Sequence, residues 1–272
     1  MKYIWPMILF LMVACGDQNF KKVEKLGEFR ILSVFTTTPE VVPGAGVTLQ
    51  LFVSDVAAGG RIINGTTISC IDPGISFGAR ANCDHDPSAV TDTYTVDTTT
   101  ADMTSNLFTG LTADTLSVTV PAGIFLGRST REQFNGVSYI VIFTFEVDGK
   151  EVSVFRRIVA TNKVALNTNP SGSFILLNGV AINSTPNEDD KLRLTSSAPE
   201  TYDYKTIDGS IETRSEDFQV AWFVTEGKLD KPKSGVSETV KYLGETATDP
   251  SLVVAIVRDE RGGVEIVREF FP

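Results

Sequence analysis

Between residues 47 and 53, Val47, Leu49, Leu51 and Val53 alternate with Thr48, Gln50 and Phe52. A period of two sets one aliphatic row on a single sheet face, so this stretch predicts a half-buried β-strand. The same period returns at Tyr139, Val141, Phe143, Phe145 and Val147, and Asp148-Gly149 then leads into Val152 to Val159. Asp-Gly between two such runs predicts a hairpin, because glycine tolerates the positive φ of a tight turn. Phe29 to Phe35 reads as a further strand, and the Thr- and Asp-rich stretch Thr91 to Asp102 as a polar loop or edge segment. After Asn167-Thr168-Asn169-Pro170, the best linker candidate, apolar segments recur at 174–177, 192–196, 218–225, 236–243, 252–257 and 264–271. Helical periodicity is absent over any comparable length. Short strands separated by turn residues predict all-β sandwiches or barrels. A chain of 272 residues is long for one sandwich and sufficient for two, each with its own core.

The N-terminus departs from this pattern. Lys2 is followed by an apolar run from Ile4 to Val13, broken only by Pro6, and Ala14 precedes Cys15. A basic start, a short apolar stretch and a small residue at the cut are the layout of a secretory signal. The run is too short for a permanent span, which needs about 20 residues. Leu11-Met12-Val13-Ala14-Cys15 resembles a bacterial lipobox, with Met12 where leucine is more usual. The resemblance implies a signal peptide at 1–14 and acylation of Cys15 on both its thiol and its new amine. One acyl chain binds a membrane only marginally, whereas several hold it stably. Gly16, rather than an acidic residue, follows the cysteine, which favours outer-membrane delivery over inner-membrane retention. Residues 15–26 then read as a lipidated tether.

The two halves end alike. Val147-Asp148-Gly149-Lys150-Glu151-Val152 with Arg156 compares with Val257 to Val264 with Arg268, each a strand, an acidic-glycine turn and a strand carrying an outward arginine. The opening Ile31 to Val53, with Thr38-Pro39-Glu40-Val41-Val42-Pro43-Gly44 before a strand, and the later Asp217-Phe218-Gln219-Val220-Ala221-Trp222-Phe223-Val224-Thr225-Glu226-Gly227 with Val257 to Val264, resemble the first and second immunoglobulin-like domains of lipoproteins in predatory and gliding bacteria. That likeness covers about a third of the chain and implies fold and location, not activity. The expected fold is all-β, with two tandem immunoglobulin-like antiparallel β-sandwich domains at 27–165 and 166–272. Trp222 is expected to point inward and fill the space between sheets. Its alternative is an exposed aromatic that stacks on sugar.

With Cys15 assigned to lipid, Cys70 and Cys83 remain, and an even pair in an exported protein is expected to form a disulfide. A zinc site using both thiolates with His85 is the sharper but weaker reading, because the fourth ligand is unspecified. His85 is the sole histidine and lies in Asp84-His85-Asp86-Pro87, which reads as a solvated loop. Asp84-His85-Asp86 and Asn187-Glu188-Asp189-Asp190 could offer oxygens to calcium, but neither has the EF-hand alternation. No Gly-x-Ser-x-Gly elbow, phosphate loop or His-Glu-x-x-His occurs. No catalytic residue, metal or cofactor is therefore assigned. Lys+Arg 24 against Asp+Glu 34 gives a net charge of −10, which argues against nucleic acid as a partner.

The expected function is a membrane-anchored, non-catalytic module of the cell envelope that binds a protein or a glycan. Such a module predicts no pocket with convergent titratable groups. One alternative is an enzyme acting on envelope polysaccharide, which needs two acids facing each other across an aromatic-lined groove. Another is an architectural subunit of an envelope complex.

Overall fold

The computed structural model describes residues 24–74, 80–99, 110–244 and 251–271; Cys15 and the expected signal segment lie outside them. The first half forms β1 (Arg30–Thr36), β2 (Glu40–Val41), β3 (Gly46–Ser54), β4 (Ile62–Ile71), β5 (Val90–Asp97), β6 (Leu111–Thr119), α1 (Thr130–Asn135), β7 (Val137–Val147) and β8 (Lys150–Ala160). The second forms β9 (Phe174–Leu177), β10 (Val180–Ala181), β11 (Lys191–Thr195), β12 (Thr201–Lys205), β13 (Ile211–Ser215) and β14 (Gln219–Val224). It continues with β15 (Lys228–Leu229), β16 (Lys233–Gly235), β17 (Thr239–Leu243), β18 (Ser251–Arg258) and β19 (Val264–Phe271).

Among the described residues, no sheet mixes strands from the two halves. β1-β3-β6 faces β2-β8-β7-β4-β5, and β10-β9-β11-β17-β15 faces β16-β14-β18-β19. Both pairs are immunoglobulin-like sandwiches, antiparallel except where β2 lies parallel to β8. The β7–β8 hairpin turns at Asp148 and Gly149, with φ of 53° and 70°, the two positive values that a type I′ turn requires. Val47, Leu49, Leu51 and Val53 pack with Val141, Phe143 and Phe145 in the first core. Trp222 is fully buried in the second, and its Nε1 donates to Ser234 Oγ at 2.9 Å. Thr91 to Asp97 belongs to the edge strand β5, as one of the two sequence readings had it.

The two sandwiches are stacked face to face. Leu32 and Phe52 of the β1-β3-β6 sheet meet Ala221, Phe223, Leu252, Val254 and Ile256 of the β14-β18 sheet in a third apolar cluster. Along β18, Val253, Ala255 and Val257 face the core of their own sandwich, while Leu252, Val254 and Ile256 face the other sandwich. A strand covered on both faces has no solvent side and therefore reads as a continuous apolar run rather than an alternation. Phe52 corrects the half-buried reading of β3: it is fully buried, and the Arg268 guanidinium lies 4.7 Å from its ring centre.

The arginines expected to point outward do leave their own sandwiches, but they enter the neighbouring one. Arg156 donates to the Gly262 carbonyl and Arg268 lies over the Phe52 ring; Arg258 of β18 crosses as well, donating to the Leu32 carbonyl at 3.0 Å. Burial holds the Arg156 pKa down to about 10.

Two expected free segments are also packed. Asn167 is 3% exposed, and Asn169 bonds the Thr36 carbonyl and the Val264 amide, so the 167–170 stretch is part of the joint rather than a loose linker. The end of the tether reading likewise fails. Val224 N donates to Glu24 O, Leu26 N donates to Val224 O, and Leu26 is buried against the second sandwich.

Candidate functional site

The joint opens into a cavity of about 360 Å3 between α1, the 163–166 segment, the β12–β13 ribbon and the β18–β19 turn. Local sequence explains each wall. Ser129 and Glu132 form a capping box that starts α1, by reciprocal bonds between side chain and backbone. At the other end of the helix the Thr161 hydroxyl donates to the Phe134 carbonyl at 2.7 Å and accepts from Lys163 N, which places Lys163 beside Phe134. The ribbon has few apolar side chains to bury and is held by docking. Asn135 Nδ2 donates to Lys205 O, and Lys205 N donates to Asn135 Oδ1, both at 2.7 Å.

Two nearly buried cations organise the site. The Lys163 side chain is 7% exposed; its Nζ lies 3.8 Å from Glu40 and 5.6 and 5.5 Å from the Phe134 and Tyr202 ring centres. Burial lowers the Lys163 pKa, and Glu40 opposes that effect. Arg261 sits in a turn braced by Asp259, whose Oδ1 accepts from Arg261 N at 2.8 Å and Gly263 N at 2.6 Å. Its two terminal nitrogens donate to Glu40 at 2.7 Å and Glu216 at 3.2 Å, and its guanidinium lies 4.6 Å from the Tyr202 ring centre. Arg261 Nε is buried with no hydrogen-bond partner. Glu40 also accepts the Asn167 amide, and Asn167 Nδ2 donates to Asp259 at 3.1 Å. Burial raises the Glu216 pKa. The exposed rim carries Glu200 and Asp203.

Glu40 and Glu216 therefore flank a guanidinium, not an open groove. Their first chemical task is to neutralise Arg261, since a buried charge without a partner is costly.

The residues singled out in the sequence lie elsewhere. Cys70 and Cys83 form a disulfide with a Cα separation of 5.8 Å, so neither thiolate remains for a metal. The bridge packs with Ala81, Ile140 and Ile142 on the outer face of the first sandwich. His85 lies in that exposed loop, with Nε2 3.2 Å from the Ile71 carbonyl. Asp86 accepts from the Ser88 amide and hydroxyl, bonds that hold its carboxyl below the usual range. Asp190 accepts from Asn187 N and Asn178 Nδ2, at 2.7 Å each. Sequence reasoning missed Lys163, Glu40, Glu216, Tyr202 and Arg261 as a group, and the convergent titratable groups depart from the pocket-free surface expected of a binding module. Only Glu40, within the marked Thr38 to Gly44 stretch, and Arg261, within the marked β18–β19 turn, lay in singled-out segments, and neither was marked as a charge.

No protein-family model and no curated protein sequence matches the chain. Among solved structures, red sea bream transglutaminase is similar over 91% of this chain at 10% identity and a TM-score of 0.28; the chain spans 31% of the length of that enzyme. The sporulation control protein Spo0M from Bacillus subtilis is similar over 90% of this chain and 91% of its own, at 11% identity and a TM-score of 0.24.

Proposed function

We propose that the protein is a lipid-anchored, non-catalytic binding module of the bacterial envelope, attached through Cys15 and delivered to the outer membrane, whose partner is an envelope protein or glycan. The observation that carries this reading is geometric: chain entry and cavity lie toward opposite ends of β14. Glu24 and Leu26 bond Val224, at the end of β14 remote from Gln219. Gln219 pairs with Arg258, next to the turn that holds Arg261. Five residue steps of about 3.4 Å plus the turn place the cavity roughly 20 Å from the entry point. A lipid on Cys15, at most about 30 Å of extended chain before Glu24, would hold the body at its entry pole and turn the cavity outward. The Arg261 bridge between Glu40 and Glu216 supports binding rather than hydrolysis, because neither acid is left facing the other across open space.

Cys15→Ser in the full chain tests the anchor. The wild-type protein is expected in the membrane fraction with an acylated Cys15 at its N-terminus by mass spectrometry, and the variant in the soluble fraction. An unmodified Cys15 in mature wild-type protein would remove the anchor. Crosslinking from Asp203→Cys in intact cells is expected to capture an envelope component.

A further inference from the structure

We infer that the outer face of the second sandwich binds a phosphate group through Lys191, Arg193 and Lys241. The site shares no lining residue with the junction cavity, and it stands whether or not Cys15 carries lipid.

The protein has 34 acidic and 24 basic residues, yet the strands of the β10-β9-β11-β17-β15 sheet hold Lys191, Arg193, Lys228 and Lys241 and no Asp or Glu. Alternation sends all of these cations the same way. Leu192, Leu194, Leu229, Val240 and Tyr242 fill the core, so Lys191, Arg193, Lys228 and Lys241 beside them project from the opposite face. Register then sets like charges side by side: Lys191 lies directly opposite Lys241, and Arg193 directly opposite Thr239. Cations facing each other across two strands destabilise a sheet, and an anion between them reverses the sign.

The chain supplies little of that anion. Among the described residues, the side chains of Lys191, Arg193 and Lys228 have no ion pair or hydrogen bond. Lys241 Nζ has Asp189 at 3.6 Å, a pair open to solvent on both sides and therefore weak. Asp190 is committed to Asn178 Nδ2 and Asn187 N, and Asp230 Oδ1 accepts the Lys241 backbone amide. Arg193 Nε is sealed and takes no part, but the terminal nitrogens are not sealed. Arg193 lines a concavity of about 300 Å3 with Asn178, Gly179, Lys191 and Thr239.

This lining selects among ligands. Its cations repel a cationic ligand, and it has no aromatic face on which a neutral ring would stack. A carboxylate brings two oxygens and one charge, which the Arg193 fork alone would satisfy. A phosphate monoester brings three strong acceptor oxygens and about −1.5 to −2 of charge at neutral pH, enough to engage Arg193 and the flanking lysines together.

The test follows backbone amides by NMR in the full chain, in a nonionic polyoxyethylene detergent at neutral pH and constant ionic strength. Inorganic phosphate and glycerophosphate are expected to shift the Lys191, Arg193 and Thr239 amides along saturable curves, and acetate to leave them in place. Lys191→Met and Arg193→Met should each weaken phosphate binding by at least about tenfold, the loss of one charge-assisted bond. Lys150→Met, at the exposed start of β8 in the other sandwich, should leave it unchanged. An unchanged urea midpoint verifies that each variant is folded. Micelles doped with phosphatidylglycerol distinguish the sources: shifts of the same amides at lower total phosphate assign a lipid headgroup, and shifts with the soluble phosphates alone assign a free phosphate compound. Equal shifts with acetate, shifts that do not saturate, or undiminished binding in Arg193→Met overturn the assignment. None of these results bears on acylation of Cys15 or on the Asp203→Cys crosslink, so the binding-module reading stands or falls separately.

Discussion

Phe52→Ala separates a stacked body from two sandwiches on a string. Were the sandwiches independent, Phe52 would lie on an outer face of β3, and its truncation would change stability by no more than about 0.5 kcal/mol. In the stack it is fully buried, packed in the apolar cluster between the sandwiches and covered by the Arg268 guanidinium. Removing a buried phenyl ring costs about 3–5 kcal/mol, transfer and cavity together. Urea unfolding of the Trp5→Phe chain isolates the consequence, because Trp222 is then the sole tryptophan and reports the second sandwich. With a urea dependence near the upper end of about 1–3 kcal/mol per molar, Phe52→Ala should lower the Trp222 midpoint by at least about 1 M. Far-UV circular dichroism should follow the same curve. A Trp222 midpoint that stays in place while the dichroism midpoint falls would refute energetic coupling across the joint.

Arg261→Met leaves Glu216 buried without its cation and Glu40 with Lys163 alone, and should cost about 3–5 kcal/mol in thermal or urea unfolding, with Glu216→Gln added to it restoring part of the loss. Cys70→Ala with Cys83→Ala should cost about 3 kcal/mol through the freed unfolded chain; the denatured wild-type precursor should titrate one thiol, Cys15, and three thiols would refute the bridge. Asp208 is held at a pKa of about 2, first by the Thr206 hydroxyl and then by Ser210. Its contribution is therefore present above the usual carboxylate range and is lost as pH falls toward 2, which carboxyl NMR titration checks directly. Titration at an unperturbed value would show that the turn bonds are not held in solution.

The strands of the first core were legible from period-two alternation, as in β3 and β7, and the disulfide from the even cysteine pair that remains once Cys15 is set aside. Trp222 was legible as a core filler because a large aromatic in a mostly apolar strand has few other places to go. β4 was not legible, since Asn64-Gly65 reads as a turn. Gly65 is there because the Phe145 ring passes 2.5 Å from where its Cβ would sit, a contact known only once β4 and β7 are paired. The β12–β13 ribbon escaped notice because its order comes from Asn135 and α1, 70 residues away, rather than from a face of its own.

Sequence by itself determined the alternating strands such as β3 and β7, the hairpin at Asp148-Gly149 and the oxidised cysteine pair, because each rests on residues near in sequence or on simple counting. The tertiary structure alone decided that β18 is covered on both faces, that 167–170 is a joint and that Lys163, Glu40, Glu216, Tyr202 and Arg261 meet. Those five come from segments spread between residues 40 and 261, and no local pattern marks a charge whose partner is 45 to 221 residues away. Local periodicity reports which face of a strand is apolar. What covers that face, and which polar groups are trapped where two such faces meet, is set by long-range packing.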